Sequence, residues 1–167
     1  LPKYASGEWV ACFCLTEPEA GSDAASLRTT ARCEGEHYVI NGTKRYITNA
    51  PVANTFNVMA RTNPEIKGAH GISSFIVERD TPGLTLGSID KKMGQSGSMT
   101  CDVIFEDCKV PAENIIGEEG EGFITAMKVL DRGRLHISGV SIGVAKRLID
   151  DALSYGMQRK QFGQPIA

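Results

Sequence analysis

The stretch Y-V-I-N-G-T-K-R-Y-I-T, residues 38–48, decides the fold of this chain. Aromatic and β-branched residues flank an Asn-Gly dipeptide, which supplies the positive φ angles of a type I′ turn. The stretch therefore predicts a β-hairpin that turns at Asn41-Gly42. Because side chains alternate along a strand, we expect Tyr46 and Thr48 on one face and Ile47 on the other.

Short strand-like segments precede and follow this hairpin. They are apolar or alternating, they are bounded by turn-forming residues, and no helical pattern separates them; they comprise residues 9–15, 27–33, 55–61, 71–77, 84–89 and 101–105. Closely spaced short strands of this kind are typical of barrels and sandwiches. We therefore predict an α+β fold in which residues 1–118 form an antiparallel β-barrel or sandwich domain.

The pattern becomes helical in residues 119–167. From Phe123 to about Arg159, apolar residues recur at helical spacing on two faces, which predicts one long helix buried between others, as in a four-helix bundle. Since no partner helices follow, we expect an incomplete bundle domain. The chain is expected to be truncated at both ends.

Composition excludes several classes of function. Lys and Arg number 18 against 20 Asp and Glu, without a basic block, so neither a nucleic acid nor a membrane surface is expected as a partner. The apolar runs are too short to span a bilayer. Five cysteines without a C-x-x-C motif predict reduced thiols rather than disulfides or zinc. The scattered histidines indicate no metal site.

The segment L-T-E-P-E-A-G-S-D, residues 15–23, directly follows the first strand. Thr16 and Ser22 place small hydroxyls beside backbone amides at a bend, an arrangement suited to phosphate or to a heteroaromatic edge. An ordinary surface turn is the alternative. Similarly, Tyr46 and Thr48 on one face are suited either to stacking on a flat ring or to cross-strand packing.

Two motifs lie on or after the long helix. Asp131 and Arg134 are spaced to form an ion pair, and Arg134 falls within an apolar stripe, where a charge is costly unless it is paired or faces a ligand cleft. A solvated surface pair is the alternative. The segment R-K-Q-F-G, residues 159–163, is by itself an ordinary helix end.

Taken together and in order, these segments resemble the acyl-CoA dehydrogenase family. The matching motifs are L-T-E-P-E-A-G-S-D, N-G-T-K-R-Y-I-T-N at residues 41–49, F-E-D-C-K-V-P-A-E-N-I-I-G at residues 105–117, then G-E-G-F, L-D-R-G-R and R-K-Q-F-G. The resemblance covers nearly the whole chain. It implies the family's middle β-domain followed by the first long helix of its C-terminal four-helix domain.

The resemblance implies a fragment of an FAD-dependent acyl-CoA dehydrogenase of fatty acid β-oxidation, which converts acyl-CoA thioesters to trans-2-enoyl-CoA. It further implies an electron-transfer flavoprotein as electron acceptor, a homotetramer, and either the bacterial cytoplasm or the mitochondrial matrix. The alternatives are an acyl-CoA oxidase or a related flavin monooxygenase, which oxygen would reoxidise, and a non-catalytic flavin-binding homologue.

The resemblance also assigns residues by position. Those implied to bind FAD are Phe13, Leu15, Thr16, Gly21, Ser22, Tyr46, Ile47, Thr48, Arg159, Gln161 and Phe162. Thr16 and Thr48 would hydrogen-bond the flavin, and Tyr46 stands where the family often has Trp. The last three residues would reach the FAD of a neighbouring subunit. Substrate binding is implied for Ser22, Asp131 and Arg134.

No catalytic residue is expected within the chain. The family's base is a carboxylate that one branch carries on the long helix, at the position of Gly133, and glycine cannot serve. Most members carry it in a C-terminal segment, which would lie beyond Ala167. Neither Glu17 nor Glu19 is assigned this role, and residues 1–167 alone are expected to be inactive.

Overall fold

A computed structural model describes residues 1–167, which form two compact units, residues 1–125 and 126–167. The strands of the first unit are β1 (Ala11–Cys14), β2 (Thr30–Glu34), β3 (His37–Thr48), β4 (Thr55–Arg61), β5 (Ile72–Glu78), β6 (Leu84–Leu86) and β7 (Thr100–Pro111). A short helix, α1 (Pro2–Ala5), precedes them, and 3₁₀ turns lie at Ala24–Ser26, Ala50–Val52, Ala69–Gly71 and Ala112–Asn114. The long helix α2 (Gly122–Gln158) begins in the first unit and continues through the second, where β8 (Lys160–Gln161) and β9 (Gln164–Pro165) follow it.

The seven strands of the first unit form one curled, half-barrel-like sheet. Its order is β1-β4-β2-β3-β7-β6, and β5 pairs with β4. The prediction of a β-domain followed by one long helix is confirmed. The pairing is mixed rather than wholly antiparallel, because β1 and β2 both run parallel to β4. Parallel neighbours need a long crossover, which residues 15–54 provide between β1 and β4.

The predicted hairpin at Asn41-Gly42 is wrong, since β3 runs straight through both residues. The chain instead turns at Gly35, where φ is +64°, between β2 and β3. Opposite Asn41, β7 carries one extra residue, because Ile40 and Gly42 pair with Cys108 and Phe105, and Asp107 in this bulge has a φ of 48°. There the Asn41 amide donates to Asp107 Oδ1 (3.1 Å), and the Asp107 N–H donates to Asn41 Oδ1 (2.8 Å). Gly42 has a φ of 149° although it lies within a strand, so a positive φ at a glycine does not by itself indicate a turn.

A second irregularity of β3 lies between Lys44 and Ile47. Tyr46 has a left-handed backbone with φ of 57°, so one extra residue separates the two halves of the strand. As predicted, Ile47 is buried and Tyr46 and Thr48 are exposed. Lys44 points inward on the same side as Ile47 and is fully buried.

The first unit has one large apolar core. It is formed by buried apolar side chains from every long strand, among them Ile40, Phe56, Val58, Phe75, Val77, Val103 and Phe105. Tyr38 packs on Phe75 with ring centroids 4.9 Å apart and donates its hydroxyl to Glu119 (3.0 Å). Burial and this neighbouring carboxylate raise the pKa of Tyr38 to about 12. The segment after β7 is thereby fastened to the sheet.

The second unit consists mainly of helix α2, whose predicted span is confirmed. Its apolar side chains are exposed, including Leu135, Ile142, Ile149 and Leu153. Strands β8 and β9 form a small ribbon that turns at Phe162-Gly163, both with positive φ. No helix of the chain combines the length and the apolar character needed to cross a bilayer.

The five cysteines are unpaired thiols, as predicted. Cys12 and Cys14 lie buried on one face of β1 with their sulfur atoms 3.8 Å apart, too far for a disulfide. Cys101 and Cys108 are buried in β7, and only Cys33 is exposed. No group of side chains has the composition of a metal site.

Candidate functional site

A buried ion pair holds the loop after β1. Lys44 of β3 and Glu17 of the loop are 0% and 5% exposed, and Lys44 Nζ lies 2.8 Å from Glu17 Oε1. The same ammonium donates to the carbonyl oxygen of Leu15 (3.2 Å). Glu17 also accepts hydrogen bonds from the backbone N–H groups of Arg28 (2.6 Å) and Thr29 (3.0 Å). One lysine and one carboxylate thus connect β3 to the start and the end of the loop.

These contacts keep Glu17 ionised. Burial by itself would raise the pKa of the Glu17 carboxyl, but the Lys44 ammonium and the hydrogen bonds from Thr29 and Arg28 outweigh burial and lower the pKa. Burial lowers the pKa of Lys44, and the Glu17 carboxylate opposes that shift. A carboxylate that is already paired with an ammonium and two N–H groups has little basicity left for a substrate.

A backbone contact brings the loop against the exposed end of β3. The Arg45 N–H donates to the carbonyl oxygen of Thr16 at 2.8 Å. This contact uses only the main chain of Thr16, so it does not occupy the half-buried side-chain hydroxyl. The next residue of β3 is Tyr46, which with Thr48 forms the exposed pair predicted from the alternation. The structure therefore brings Leu15 and Thr16 together with the end of β3.

The two strands that border the loop, β1 and β3, each carry an exposed aromatic side chain. Phe13 on β1 is exposed between the buried Cys12 and Cys14, and Tyr46 is 61% exposed. The Arg45 guanidinium lies 5.2 Å from the centre of the Tyr46 ring and 3.6 Å from an Asp102 oxygen, an arrangement that steadies the ring. Flat, exposed rings beside hydroxyl donors can hold a planar heteroaromatic ligand with polar edges.

Two further predicted residues come later in the same loop. Gly21 and Ser22 are exposed beyond the turn that Glu17 and Ala20 make. A Cβ at Gly21 would meet nothing within 4 Å, so the backbone there is open to a ligand.

The second unit carries the other five predicted positions. Asp131 and Arg134 form the predicted ion pair on α2, and both side chains are exposed. In the ribbon, Gln161 donates to its neighbour's carbonyl (2.8 Å), and Phe162 is fully exposed at the turn. Arg159 follows the last residue of α2.

Sequence reasoning missed Lys44. Strict alternation from Ile47 puts Lys44 with Tyr46 and Thr48, on the solvent side. The bulge at Tyr46 reverses this and turns Lys44 inward. A signal was present in the sequence, because Glu17 stands at the bend directly after a buried strand and a buried carboxylate requires a cation.

Comparison with known proteins gives the family. The sequence profile of "Acyl-CoA dehydrogenase, middle domain" matches residues 12–108, and that of "Acyl-CoA dehydrogenase, C-terminal domain" matches residues 120–167. An acyl-CoA dehydrogenase of Bacillus subtilis (strain 168) is 46% identical over 167 residues, which is 100% of this chain and 44% of that protein. The mitochondrial short-chain specific acyl-CoA dehydrogenase of Homo sapiens is 46% identical over 98% of this chain and 39% of that protein.

A solved structure agrees with the sequence matches. The butyryl-CoA dehydrogenase of Megasphaera elsdenii superposes with a TM-score of 0.93 at 44% identity, covering 98% of this chain and 43% of that one. The chain belongs to the acyl-CoA dehydrogenase family. It spans less than half the length of each of these relatives.

The family's flavin fits the junction between the loop and β3. Tyr46 and Phe13 present exposed rings, Thr48 carries a hydroxyl on the same strand as Tyr46, and Thr16 carries one three residues after Phe13. A flavin needs both, since its ring system is flat and its edges are polar. The open backbone at Gly21 and the exposed Ser22 hydroxyl suit the phosphate part of a dinucleotide.

Proposed function

We propose that the protein carrying this chain is an FAD-dependent acyl-CoA dehydrogenase that converts acyl-CoA thioesters to trans-2-enoyl-CoA. The observation that carries the proposal is the junction at which the buried Glu17–Lys44 pair holds Leu15 and Thr16 against the exposed end of β3. In a member of this family, such a junction is a half-site for a flavin. We assign residues 1–118 to the flavin-binding β-domain and residues 119–167 to the helical domain.

A bound FAD would supply the acceptor for the hydride that leaves the β-carbon of the thioester. The chain's own residues bind and orient it. Exposed Tyr46 and Phe13 would cover its ring, Thr16 and Thr48 would donate hydrogen bonds to its edge, and buried Ile47 fixes the strand between Tyr46 and Thr48. Donors placed in advance stabilise negative charge that develops during the reaction without the cost of reorienting water.

Substrate binding is assigned to Ser22, Asp131 and Arg134. Ser22 is exposed beside the open backbone of Gly21, where it can donate to a pyrophosphate or a thioester oxygen. Asp131 forms an ion pair with the Arg134 guanidinium, whose planar set of N–H donors suits polar groups of a ligand.

The α-proton is removed by a carboxylate that we place outside residues 1–167. Within the chain, Glu17 directly follows Thr16, which is proposed to bind the flavin. Its ion pair with Lys44 and its lowered pKa exclude it as the catalytic base. Glu19 forms a surface ion pair with Arg28. Gly133 occupies the position on α2 that carries the base in one branch of the family.

The ribbon after α2 supports an oligomer. Phe162 and the side chain of Gln161 are exposed at its turn, beside Arg159, so they are available to a second subunit. We propose that these three residues reach the FAD of a neighbouring subunit in a homotetramer. An electron-transfer flavoprotein is the proposed acceptor, in a bacterial cytoplasm or a mitochondrial matrix.

The test is product analysis with the full-length protein. It is incubated with saturated acyl-CoAs of graded chain length and electron-transfer flavoprotein, and the products are identified by mass spectrometry. We expect trans-2-enoyl-CoA, formed only when the acceptor is present. Turnover in air with equimolar peroxide and no protein acceptor would show an oxidase instead, and flavin binding without any product would show a non-catalytic homologue. Residues 1–167 expressed alone should give no product.

A further inference from the structure

We propose that Glu17 and Lys44 are positioning residues for the cofactor, and that the pair between them sets the orientation in which Thr16 and Tyr46 meet the flavin. This inference rests on the proposed function. It adds a role for two residues that do not themselves touch the ligand.

The connectivity of the pair is the first argument. Lys44 Nζ contacts Leu15 O (3.2 Å) and Glu17 Oε1 (2.8 Å), and the Glu17 carboxylate accepts from the N–H groups of Arg28 and Thr29. The residues that flank the pair in sequence are the ones that face the ligand. Thr16 lies between Leu15 and Glu17, and Tyr46 lies two residues after Lys44. A displacement of the pair would therefore displace both Thr16 and Tyr46.

The shape of β3 is the second argument. Two irregularities bracket Lys44, one at Asn41-Gly42 and one at Tyr46. In a regular strand Lys44 and Tyr46 would lie on the same face. The second irregularity allows Lys44 to point inward while Tyr46 points outward. A left-handed backbone at a bulky residue such as Tyr46 is strained and persists only when the surroundings hold it. Two contacts stabilise this conformation: the Lys44 ammonium donates to the Leu15 carbonyl oxygen, and the Arg45 N–H donates to the Thr16 carbonyl oxygen.

The chemistry of the pair is the third argument. Two buried opposite charges stabilise a fold no better than apolar side chains of similar size, because desolvation offsets their attraction. The core cluster of the same unit is built from apolar side chains. An apolar pair could fill the same space, but it could not bind the Leu15 carbonyl or the Arg28 and Thr29 amides. The charged groups add directional hydrogen bonds, which a ligand site needs and an apolar core does not.

The test separates orientation from folding with four variants of the full-length protein. They are E17Q, K44M, the double variant E17Q/K44M, and the control E34Q, which removes a carboxylate from the exposed Arg32–Glu34 pair. Each single variant leaves one buried charge without a partner, so both should melt at lower temperature and bind FAD weakly. The double variant has no stranded charge and should regain most of the melting temperature of the apoprotein.

FAD affinity and the visible circular dichroism of the bound flavin are the deciding readouts. In the double variant the dissociation constant should stay about tenfold or more above that of the wild type, as expected when a charge-assisted hydrogen bond is lost. Its flavin dichroism should differ from the wild type, while E34Q should match it. Wild-type affinity and dichroism in a stable double variant, or an equal loss in E34Q, would overturn the proposal. A wild-type protein that binds no FAD would overturn the proposed function as well.

A second measurement needs no variant. Because coupling between two sites is reciprocal, FAD binding must tighten the pair if the pair orients FAD. Hydrogen exchange at the Thr29 and Arg45 amides should slow on FAD binding, relative to core amides such as that of Val58. Unchanged exchange at both amides in a flavin-loaded protein would contradict the proposal even if the variants fail to fold.

Discussion

Replacing Gly42 with alanine should destabilise the β-domain more than the same change at Gly35. Both glycines have positive φ, +149° and +64°. A Cβ at Gly35 would meet nothing within 4 Å, whereas one at Gly42 would lie 2.7 Å from Thr29 Cα. Thr29 cannot easily move away, since its N–H donates to Glu17 (3.0 Å) and its carbonyl accepts from the Arg61 N–H (2.7 Å).

The magnitude has two parts. An unfavourable backbone conformation costs about 1–3 kcal/mol, and this part applies to both glycines. Crowding in a well-packed region costs about 1–3 kcal/mol more, and this part applies to Gly42 alone. We therefore expect G42A to lower the free energy of unfolding by roughly 2–6 kcal/mol and to exceed G35A by about 1–3 kcal/mol.

The assay is urea unfolding of both variants and the wild type, followed by far-ultraviolet circular dichroism. The difference between the two variants cancels effects of the unfolded chain, because each exchanges glycine for alanine. In a type I′ turn, Gly42 would face solvent and the two replacements would cost the same. Equal costs would therefore refute both the contact with Thr29 and the bulge.

Three further outcomes concern the site and the thiols. Tyr46→Ala should raise the FAD dissociation constant roughly threefold to tenfold, because aromatic contacts contribute about 0.5–1.5 kcal/mol, whereas Tyr46→Phe should keep the wild-type value in the same fluorescence titration. The lowered pKa of Glu17 means that its contribution to stability is complete above its ordinary value of 4.5 and is lost as the pH falls through the lowered pKa. Acid unfolding of E17Q should therefore depend less on pH below about 4.5 than that of the wild type, and an equal dependence would argue against the pair. Iodoacetamide should label Cys33 in the native protein and leave Cys108, whose pKa burial raises to about 11, unmodified until unfolding. Peptide mass spectrometry measures the labelling, and native labelling of Cys108 would contradict its burial.

The positions of the elements could be predicted from sequence better than their pairing. Periodicity located the strands and placed the ends of α2 within a residue or two. It could not show that β1 runs parallel to β4, because that contact joins segments far apart in the chain. The turn predicted at Asn41-Gly42 was wrong because Asn-Gly can also lie within a strand that pairs with a bulged neighbour, and only tertiary contacts such as Asn41 with Asp107 decide between the two.

The candidate site was predicted in part. Alternation gave the exposure of Tyr46 and Thr48, and the bend after β1 indicated a ligand loop. Lys44 was missed because one inserted residue reverses every later side chain on a strand. The choice of flavin over other planar ligands came from family resemblance, since rings and hydroxyls alone do not distinguish them.

Anaerobic titration of the full-length protein with saturated acyl-CoA tests the account most directly. The flavin's visible absorbance is recorded after each addition. The account predicts that the protein carries FAD and that at least one acyl-CoA bleaches this absorbance as electrons pass from the thioester to the flavin. A flavin that stays oxidised with acyl-CoAs of every chain length would contradict it.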